Sequence, residues 1–109
     1  SRSLSSRVKV LTADEEYSAA TSNINLSVVY FTATWCGPCR MISPVFEQIA
    51  EDNPSCTFMK IDVDDFGDVA AEAQISAMPT FQFWKAGQLL DTIVGADANK
   101  LQAVTKEHA

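Results

Sequence analysis

The pattern of hydrophobic and polar residues divides the chain into alternating strands and helices. Short runs that are almost continuously apolar, β-branched or aromatic are typical of buried strands. Runs in which apolar residues recur at helical spacing, as in Met41, Ile42, Val45, Phe46 and Ile49, are typical of helices packed on a core. These patterns predict strands at 7–11, 26–33, 56–64 and twice within 79–95, and helices at 12–23, 37–52, 66–75 and 97–108.

Local signals support several of these boundaries. Thr12, followed three residues later by Glu15, has the spacing of a capping box, and Asp97 is a suitable N-cap for the last helix. Pro44 lies inside the predicted helix 37–52 and is expected to kink it. A turn at 85–87 joins the last two strands into a hairpin.

The order of these elements predicts one α/β domain over residues 8–109. It begins with strand–helix–strand units, which favour parallel strands, and it ends with an antiparallel hairpin. Such an order indicates a mixed sheet covered by helices on both faces. A length of 109 residues is sufficient for one domain with a single core.

Charge and composition narrow the functional classes. The net charge is −6 and the Lys and Arg residues are scattered, which disfavours binding to nucleic acid or to an anionic membrane surface. No apolar run approaches the length of a membrane span. Three cysteines are too few, and odd in number, for the disulfide framework of a small secreted protein, so reduced thiols inside the cell are expected.

Residues 1–7 have a composition of their own. The sequence SRSLSSR contains Ser and Arg but no acidic residue, and it resembles the tail of a mitochondrial transit peptide. The alternative interpretation is a disordered N-terminus without targeting information. Under either interpretation, 1–7 is expected to be a flexible segment that precedes the domain.

A pair of cysteines, Cys36 and Cys39, lies where a buried strand ends and a helix begins. Backbone N–H groups in the first turn of a helix are unpaired and carry a positive partial charge, which favours a thiolate. Cys36 is nearer these amides and is expected to be the more exposed, so it should attack a substrate disulfide. Cys39 should then resolve the mixed disulfide by attacking the sulfur of Cys36. Gly37 allows a partner backbone to approach, and Pro38 stiffens the spacer.

Other uses of the cysteines fit less well. A zinc site needs four ligands, but the chain offers one pair, the distant Cys56 and a single histidine, His108, so no metal is expected. The shortage of histidine also disfavours a Cys–His hydrolase. Two unrelated core cysteines are a further alternative. Cys56 is expected to be a small buried hydrophobe, with a regulatory thiol as the alternative, and His108 a solvated tail residue.

Three separated motifs, WCGPC at 35–39, AMPTF at 77–81 and VGA at 94–96, resemble the thioredoxin family in content and order. The resemblance extends from about Val8 to the end of the chain. It implies the thioredoxin fold, in which four helices flank a central five-stranded mixed sheet. It also implies that Cys36 and Cys39 form a redox-active disulfide and act as nucleophile and resolving thiol.

The resemblance further implies a surface that binds the substrate chain. Pro79 matches the family's cis-proline opposite the disulfide, and the backbone of Met78 would pair with an extended substrate segment. Gly95 and Ala96 match a loop that completes an apolar docking surface with Trp35. From the residues alone, the alternatives are a core aromatic for Trp35 and an ordinary strand-start proline for Pro79.

Tyr30 departs from the family pattern. Most thioredoxins have a buried aspartate six residues before the first cysteine, thought to take the proton of the resolving thiol, and a neutral phenol cannot replace an anionic base at pH 7. Its hydroxyl must find another hydrogen-bond partner. Thr32 stands where many members have tryptophan. Lys60 matches a family lysine near the active site and loses its buried partner, and Asp62, on the same strand face, is the expected replacement.

The stretch around Tyr30 also bears on localisation. Plant mitochondrial thioredoxins of the o type have a similar YFTA-x-WCGPCR stretch, which here spans residues 30–40. Together with the Ser- and Arg-containing start, this similarity indicates the mitochondrial matrix. The cytoplasm is the alternative.

The expected function is the reduction of protein disulfides by thiol–disulfide exchange, an electron-carrying role that needs no bound cofactor. The resemblance implies disulfide-containing target proteins, and a separate NADPH-dependent flavoenzyme, thioredoxin reductase, that recycles the Cys36–Cys39 pair. The alternatives are a thioredoxin-fold module that binds a partner and a disulfide oxidase or isomerase of the secretory pathway. Two intact cysteines favour the reductase over the module, and proline rather than histidine in the spacer disfavours the oxidase.

Overall fold

The computed structural model describes residues 6–109, and these residues form a five-stranded sheet with four helices. The predicted order of elements is confirmed. Most of the predicted flexible segment 1–7 falls on residues 1–5, which lie outside the described residues. In chain order the elements are β1 (Val8–Val10), α1 (Asp14–Ser22), β2 (Ser27–Thr32), α2 (Gly37–Asp52), β3 (Thr57–Asp62), α3 (Gly67–Glu72), β4 (Thr80–Lys85), β5 (Gln88–Val94) and α4 (Ala98–His108).

The sheet is mixed, with the strand order β1-β3-β2-β4-β5. The first three strands of this order are parallel, whereas β4 is antiparallel to both β2 and β5. All residues of the central strand β2 are buried, which explains its almost continuous apolar sequence. In this register Tyr30 lies between Lys60 on β3 and Phe81 on β4.

Alternate residues of β2 point into two separate cores, because successive side chains of a strand face opposite sides of the sheet. Val28 and Tyr30 belong to the larger core, which includes residues of α2 and α4. Val29 and Phe31 belong to the smaller core, which includes residues of α1 and α3. Cys36 and Cys39 are part of the larger core, so the packing of Tyr30 bears directly on them.

The start of α1 differs from the prediction by one residue. Its N-cap is Ala13 and not Thr12. The carboxylate of Glu16, rather than that of Glu15, accepts hydrogen bonds from the backbone N–H groups of Thr12 at 2.8 Å and Ala13 at 3.4 Å. The capping-box prediction is therefore wrong in its residues, although an acidic side chain does satisfy the helix start.

Other helix ends follow recognisable signals. The carboxylate of Asp97 accepts a hydrogen bond from the backbone N–H of Lys100 at 3.0 Å, which confirms this residue as the N-cap of α4. Helix α2 continues through Pro44 to Asp52. Helix α3 is shorter than predicted because Gln74 takes a left-handed conformation, with a φ of 59°, and closes the helix.

The lone histidine and the third cysteine lie in ordered surroundings. His108 is half-buried at the end of α4, its ring centroid 6.4 Å from that of Phe83 and its Nε2 3.7 Å from the carboxylate of Asp91. The prediction of a solvated tail residue is therefore wrong. Cys56 is free and buried, as expected for a small hydrophobe. None of the helices within residues 6–109 is long and apolar enough to cross a membrane.

Candidate active site

The two cysteines of WCGPC lie at the junction of β2 and α2 and form a disulfide, with their Cα atoms 5.3 Å apart. Cys36 is the N-cap of α2, and its sulfur accepts a hydrogen bond from the backbone N–H of Cys39 at 3.2 Å. Pro38 occupies the first turn, where a helix does not need the missing N–H. The predicted position of the pair at a helix start is confirmed.

The environment of Cys36 favours a thiolate once the disulfide is reduced. An N–H group that points at a sulfur, together with the positive end of the helix dipole, stabilises negative charge on that sulfur. The expected difference in exposure is small, since Cys36 is 4% exposed and Cys39 is 2% exposed. The N-cap position, rather than exposure, distinguishes Cys36 from Cys39.

Trp35 projects from the site into solvent. Its side chain is 64% exposed, and the indole N–H donates a hydrogen bond to the carboxylate of Asp64 at 2.9 Å. Trp35 is therefore no core aromatic. Met41, one turn into α2, is 79% exposed, although its spacing with Ile42 and Phe46 had suggested the buried face. The buried residues of α2 are Cys39, Ile42, Phe46, Ile49 and Ala50, and Met41 is not among them.

The cis-proline loop and the loop after β5 are joined at the site. The peptide bond between Met78 and Pro79 is cis, as the resemblance implied. The backbone N–H of Gly95 donates to the carbonyl of Pro79 at 2.9 Å, and Gly95 has a φ of 111°, which glycine adopts far more readily than other residues. Met78 packs against the core that contains Cys36. Ala96, which follows Gly95 in the chain, is exposed.

Tyr30 lies in the core directly beneath the start of α2. Its side chain is fully buried, with ring centroids 4.8 Å from Phe81 and 5.0 Å from Phe46. The hydroxyl oxygen lies 3.0 Å from the carbonyl oxygen of Cys39 and 2.8 Å from Oγ of Ser43. The hydrogen-bond partner required by a buried hydroxyl is thus found on the active-site helix. Sequence reasoning missed Ser43.

An open cleft of about 240 Å³ runs beside Cys39. Lys60 lines this cleft, which places it near the active site as expected. The expected ion pair of Lys60 with Asp62 is wrong, because residues 6–109 contain no such contact and the Asp62 carboxylate accepts from the backbone N–H of Asp64 instead. The lining residues are Thr32, Ala33, Thr34, Cys39, Arg40, Ser43, Lys60 and Asp62.

Charged groups are otherwise kept out of the core. No Asp or Glu within residues 6–109 is buried, so no second carboxylate takes the place of the family's aspartate. The same residues contain no cluster of three or more His, Cys, Asp or Glu side chains that could hold a metal ion. The disulfide at the start of α2 is the redox-active group of the site.

Comparison with known proteins agrees with this geometry. The family profile described as Thioredoxin matches residues 8–107. The thioredoxin of Malassezia sympodialis is 47% identical over 105 residues, which cover 94% of this chain and 99% of that protein. Thioredoxin H1 of Arabidopsis thaliana is 44% identical over 99 residues, which cover 91% of this chain and 87% of that protein.

Solved structures of other proteins are also similar to this chain. The crystal structure of Malassezia sympodialis thioredoxin superimposes with a TM-score of 0.89 at 45% identity and covers 94% of this chain and 91% of that chain. A structure addressing thiol resolution in the yeast mitochondrial 1-Cys peroxiredoxin via the glutathione and thioredoxin systems gives 0.87 at 36% identity and covers 94% and 99% of the two chains. Oxidised mitochondrial thioredoxin 3 of Saccharomyces cerevisiae gives 0.84 at 38% identity and covers 92% and 94%.

The fold, the cysteine pair and these similarities lead to one assignment. The sheet order and helix positions are those of the thioredoxin fold. A disulfide at the start of α2 supplies the chemistry of a protein thiol–disulfide reductase that acts on disulfide-containing targets. The chain belongs to the thioredoxin family.

Proposed function

We propose that Cys36 is the nucleophile and Cys39 the resolving thiol of this reductase, and that a separate thioredoxin reductase recycles the pair. The observation that carries the assignment is the hydrogen bond from the Cys39 N–H to the sulfur of Cys36 at the N-cap of α2. This contact stabilises the thiolate of Cys36, and thiolates are the attacking species in disulfide exchange.

The reaction proceeds in two exchanges. The Cys36 thiolate attacks one sulfur of the target disulfide, so that a mixed disulfide forms and the other target sulfur leaves as a thiolate. Cys39 loses its proton to solvent and attacks the sulfur of Cys36. The Cys36–Cys39 disulfide then forms, and the second target sulfur leaves. The target gains two electrons, and the pair regains them from the NADPH-dependent flavoenzyme.

The residues around the pair have supporting roles in this proposal. The exposed Trp35 and the Met78–Pro79 loop form the surface on which an extended target segment lies, and the backbone of Met78 pairs with that segment. Gly95, bound to the Pro79 carbonyl, and the adjacent Ala96 complete this surface. The docking surface therefore comprises Trp35, Met78, Pro79, Gly95 and Ala96, while Gly37, Pro38, Tyr30 and Lys60 support the active site from within and beside α2.

The cysteine roles are tested by trapping. Cys39→Ser should accumulate a mixed disulfide through Cys36 that a small thiol reductant releases, whereas Cys36→Ser should form none and should lose disulfide reduction. Cys56→Ser is the matched control, because Cys56 is the free cysteine of residues 6–109 and should leave turnover intact. Trapping through Cys39 in the Cys36→Ser variant would reverse the assignment. NADPH consumption in the presence of a thioredoxin reductase tests the recycling partner. If no NADPH is consumed, thioredoxin reductase is excluded as that partner.

We also propose that the protein works in the mitochondrial matrix. The proposal is supported by the Ser- and Arg-containing residues 1–7 and by the likeness of residues 30–40 to plant mitochondrial thioredoxins of the o type. Fractionation of the source cells, with an antibody against the protein, should recover it with matrix markers. Recovery with cytosolic markers alone would refute the proposal.

A further inference from the structure

We infer that the hydroxyl groups of Tyr30 and Ser43 position the resolving cysteine by holding its backbone carbonyl. The inference rests on the proposed role of Cys39 as the resolving thiol. The hydroxyls bond to the Cys39 carbonyl and to each other, not to the reacting sulfurs, so both residues are positioning residues rather than catalytic ones.

Three oxygen atoms form a closed triangle under the first turn of α2. The hydroxyl of Tyr30 is 3.0 Å from the carbonyl oxygen of Cys39, Oγ of Ser43 is 2.8 Å from the same carbonyl oxygen, and the two hydroxyls are 2.8 Å apart. Two hydrogens serve these three contacts, so at least one hydroxyl donates to the Cys39 carbonyl in every arrangement. Removing one hydroxyl leaves the other to donate, which weakens the support without abolishing it.

This turn of α2 has a specific need for such support. Pro44 has no N–H, so the carbonyl of Arg40 lacks its usual partner one turn later, and the proline ring crowds that carbonyl. A serine that bonds back to the carbonyl four residues earlier, as Ser43 does to Cys39, also tends to bend a helix. The hydroxyl of Tyr30 ties this weakened turn to the sheet, because its ring is fully buried between two phenylalanines.

The resolving step depends on this support more than the first step does. In the mixed disulfide the bond between the sulfurs of Cys36 and Cys39 is absent, so the position of Cys39 beside Cys36 is set by the short backbone link between them and by the contacts of the first turn of α2. Attack by a held group is fast because its orientation is already fixed. Cys36 attacks the target without help from Cys39, and the first exchange should therefore not depend on the triangle.

An aromatic disulfide, 5,5′-dithiobis(2-nitrobenzoate), separates the two steps with the reduced protein. Attack by Cys36 releases the first coloured thiolate, and resolution by Cys39 releases the second. Tyr30→Phe and Ser43→Ala should each slow the second release about fivefold, the effect of losing one net hydrogen bond. The first release should change less than twofold. Ser43→Thr, which keeps the hydroxyl, should restore the second release.

Tyr17→Phe is the matched control, because it removes another shielded hydroxyl, one that donates to Gln82 at 2.8 Å, and it should leave both releases unchanged. An unchanged second release in both Tyr30→Phe and Ser43→Ala, or equal slowing of both releases, would overturn the inference. A changed shape of the second release's pH profile in Tyr30→Phe would also overturn it, since it would mean proton transfer by Tyr30. If the proposed roles of the cysteines are wrong, the first release persists in Cys36→Ser, and this result is distinguishable from a failure of the inference about Tyr30 and Ser43.

Discussion

Replacing Tyr30 by aspartate, the residue of most thioredoxins, should destabilise this protein strongly. The Tyr30 ring is wholly buried between Phe46 and Phe81, and removing a buried aromatic side chain costs about 3–5 kcal/mol. Losing the hydroxyl contacts to Cys39 and Ser43 adds about 1 kcal/mol. Lys60 lies opposite in the strand register and offsets part of the further cost of burying a carboxylate. Tyr30→Asp should therefore lower the free energy of unfolding by about 4 kcal/mol or more at neutral pH.

The charge contribution is isolated by comparing Tyr30→Asp with Tyr30→Asn, which loses the same packing but does not titrate. Burial should raise the pKa of the introduced carboxyl above the ordinary aspartate value of about 3.9. The folded state then binds a proton that the unfolded state has released, so stability falls as pH rises from the unfolded to the folded pKa. The two variants should be equally stable at pH values below the ordinary aspartate pKa, and Tyr30→Asp should become the less stable variant at higher pH.

Denaturant unfolding of the oxidised proteins across this pH range measures both effects. A Tyr30→Asp variant as stable as wild type at neutral pH would refute the packing estimate, and equality with Tyr30→Asn at every pH would refute the charge estimate.

Alkylation of Cys36 against pH supplies a second measurement. Wild type should not show a coupled carboxyl titration, because no Asp or Glu is buried within residues 6–109, and Tyr30→Asp should add one. A coupled step already present in wild type would mean that another buried acid acts.

Two smaller predictions concern local structure. Ala86 has a φ of 53° in the turn between β4 and β5, so Ala86→Asn should raise the free energy of unfolding by about 1 kcal/mol; no gain in denaturant unfolding would show that this turn is unstrained. The hydrogen bond from the backbone N–H of Thr12 holds the pKa of Glu16 below its ordinary value of 4.5. The ionised Glu16 carboxylate therefore stabilises the fold at pH values above 4.5, and this contribution is lost as pH falls through the pKa of the folded state. Glu16→Gln should therefore lower the melting temperature at pH 7 but not at pH 2, and an equal loss from Glu15→Gln would contradict the role of Glu16.

The fold followed from the sequence wherever one local signal decided the structure. The continuous apolar run that includes Val28–Phe31 predicted a strand buried on both faces, and Asp97 predicted a helix start that its side chain does cap. At the start of α1, the sequence alone does not determine whether Thr12 or Ala13 is the N-cap. The chain turns so that Glu16, and not Glu15, reaches the free amides, and this depends on how α1 packs on the sheet.

The active site was predictable in its chemistry and less so in its contacts. Cys36 and Cys39 are only three positions apart in sequence, so their position at a helix start follows from local pattern alone. The contacts of Tyr30 with Ser43 and of Trp35 with Asp64 join residues 13 and 29 positions apart. Such contacts depend on where α2 and the loop after β3 settle on the sheet, and a single sequence carries no signal for that placement.

The substitution at position 30 is compatible with catalysis because the essential contact of the site is made by the backbone. The N–H that binds the sulfur of Cys36 belongs to the peptide of Cys39, and it is supplied by any residue pair that starts a helix in this way. A buried aspartate adds an ionisation that is coupled to the thiols. Tyr30 has no carboxyl group, so this coupling is absent here, and its hydroxyl instead makes a hydrogen-bond contact to the same turn. Position 30 therefore determines whether a carboxyl titration is coupled to the thiols and how firmly Cys39 is held, while the helix start supplies the contact that favours the reactive thiolate.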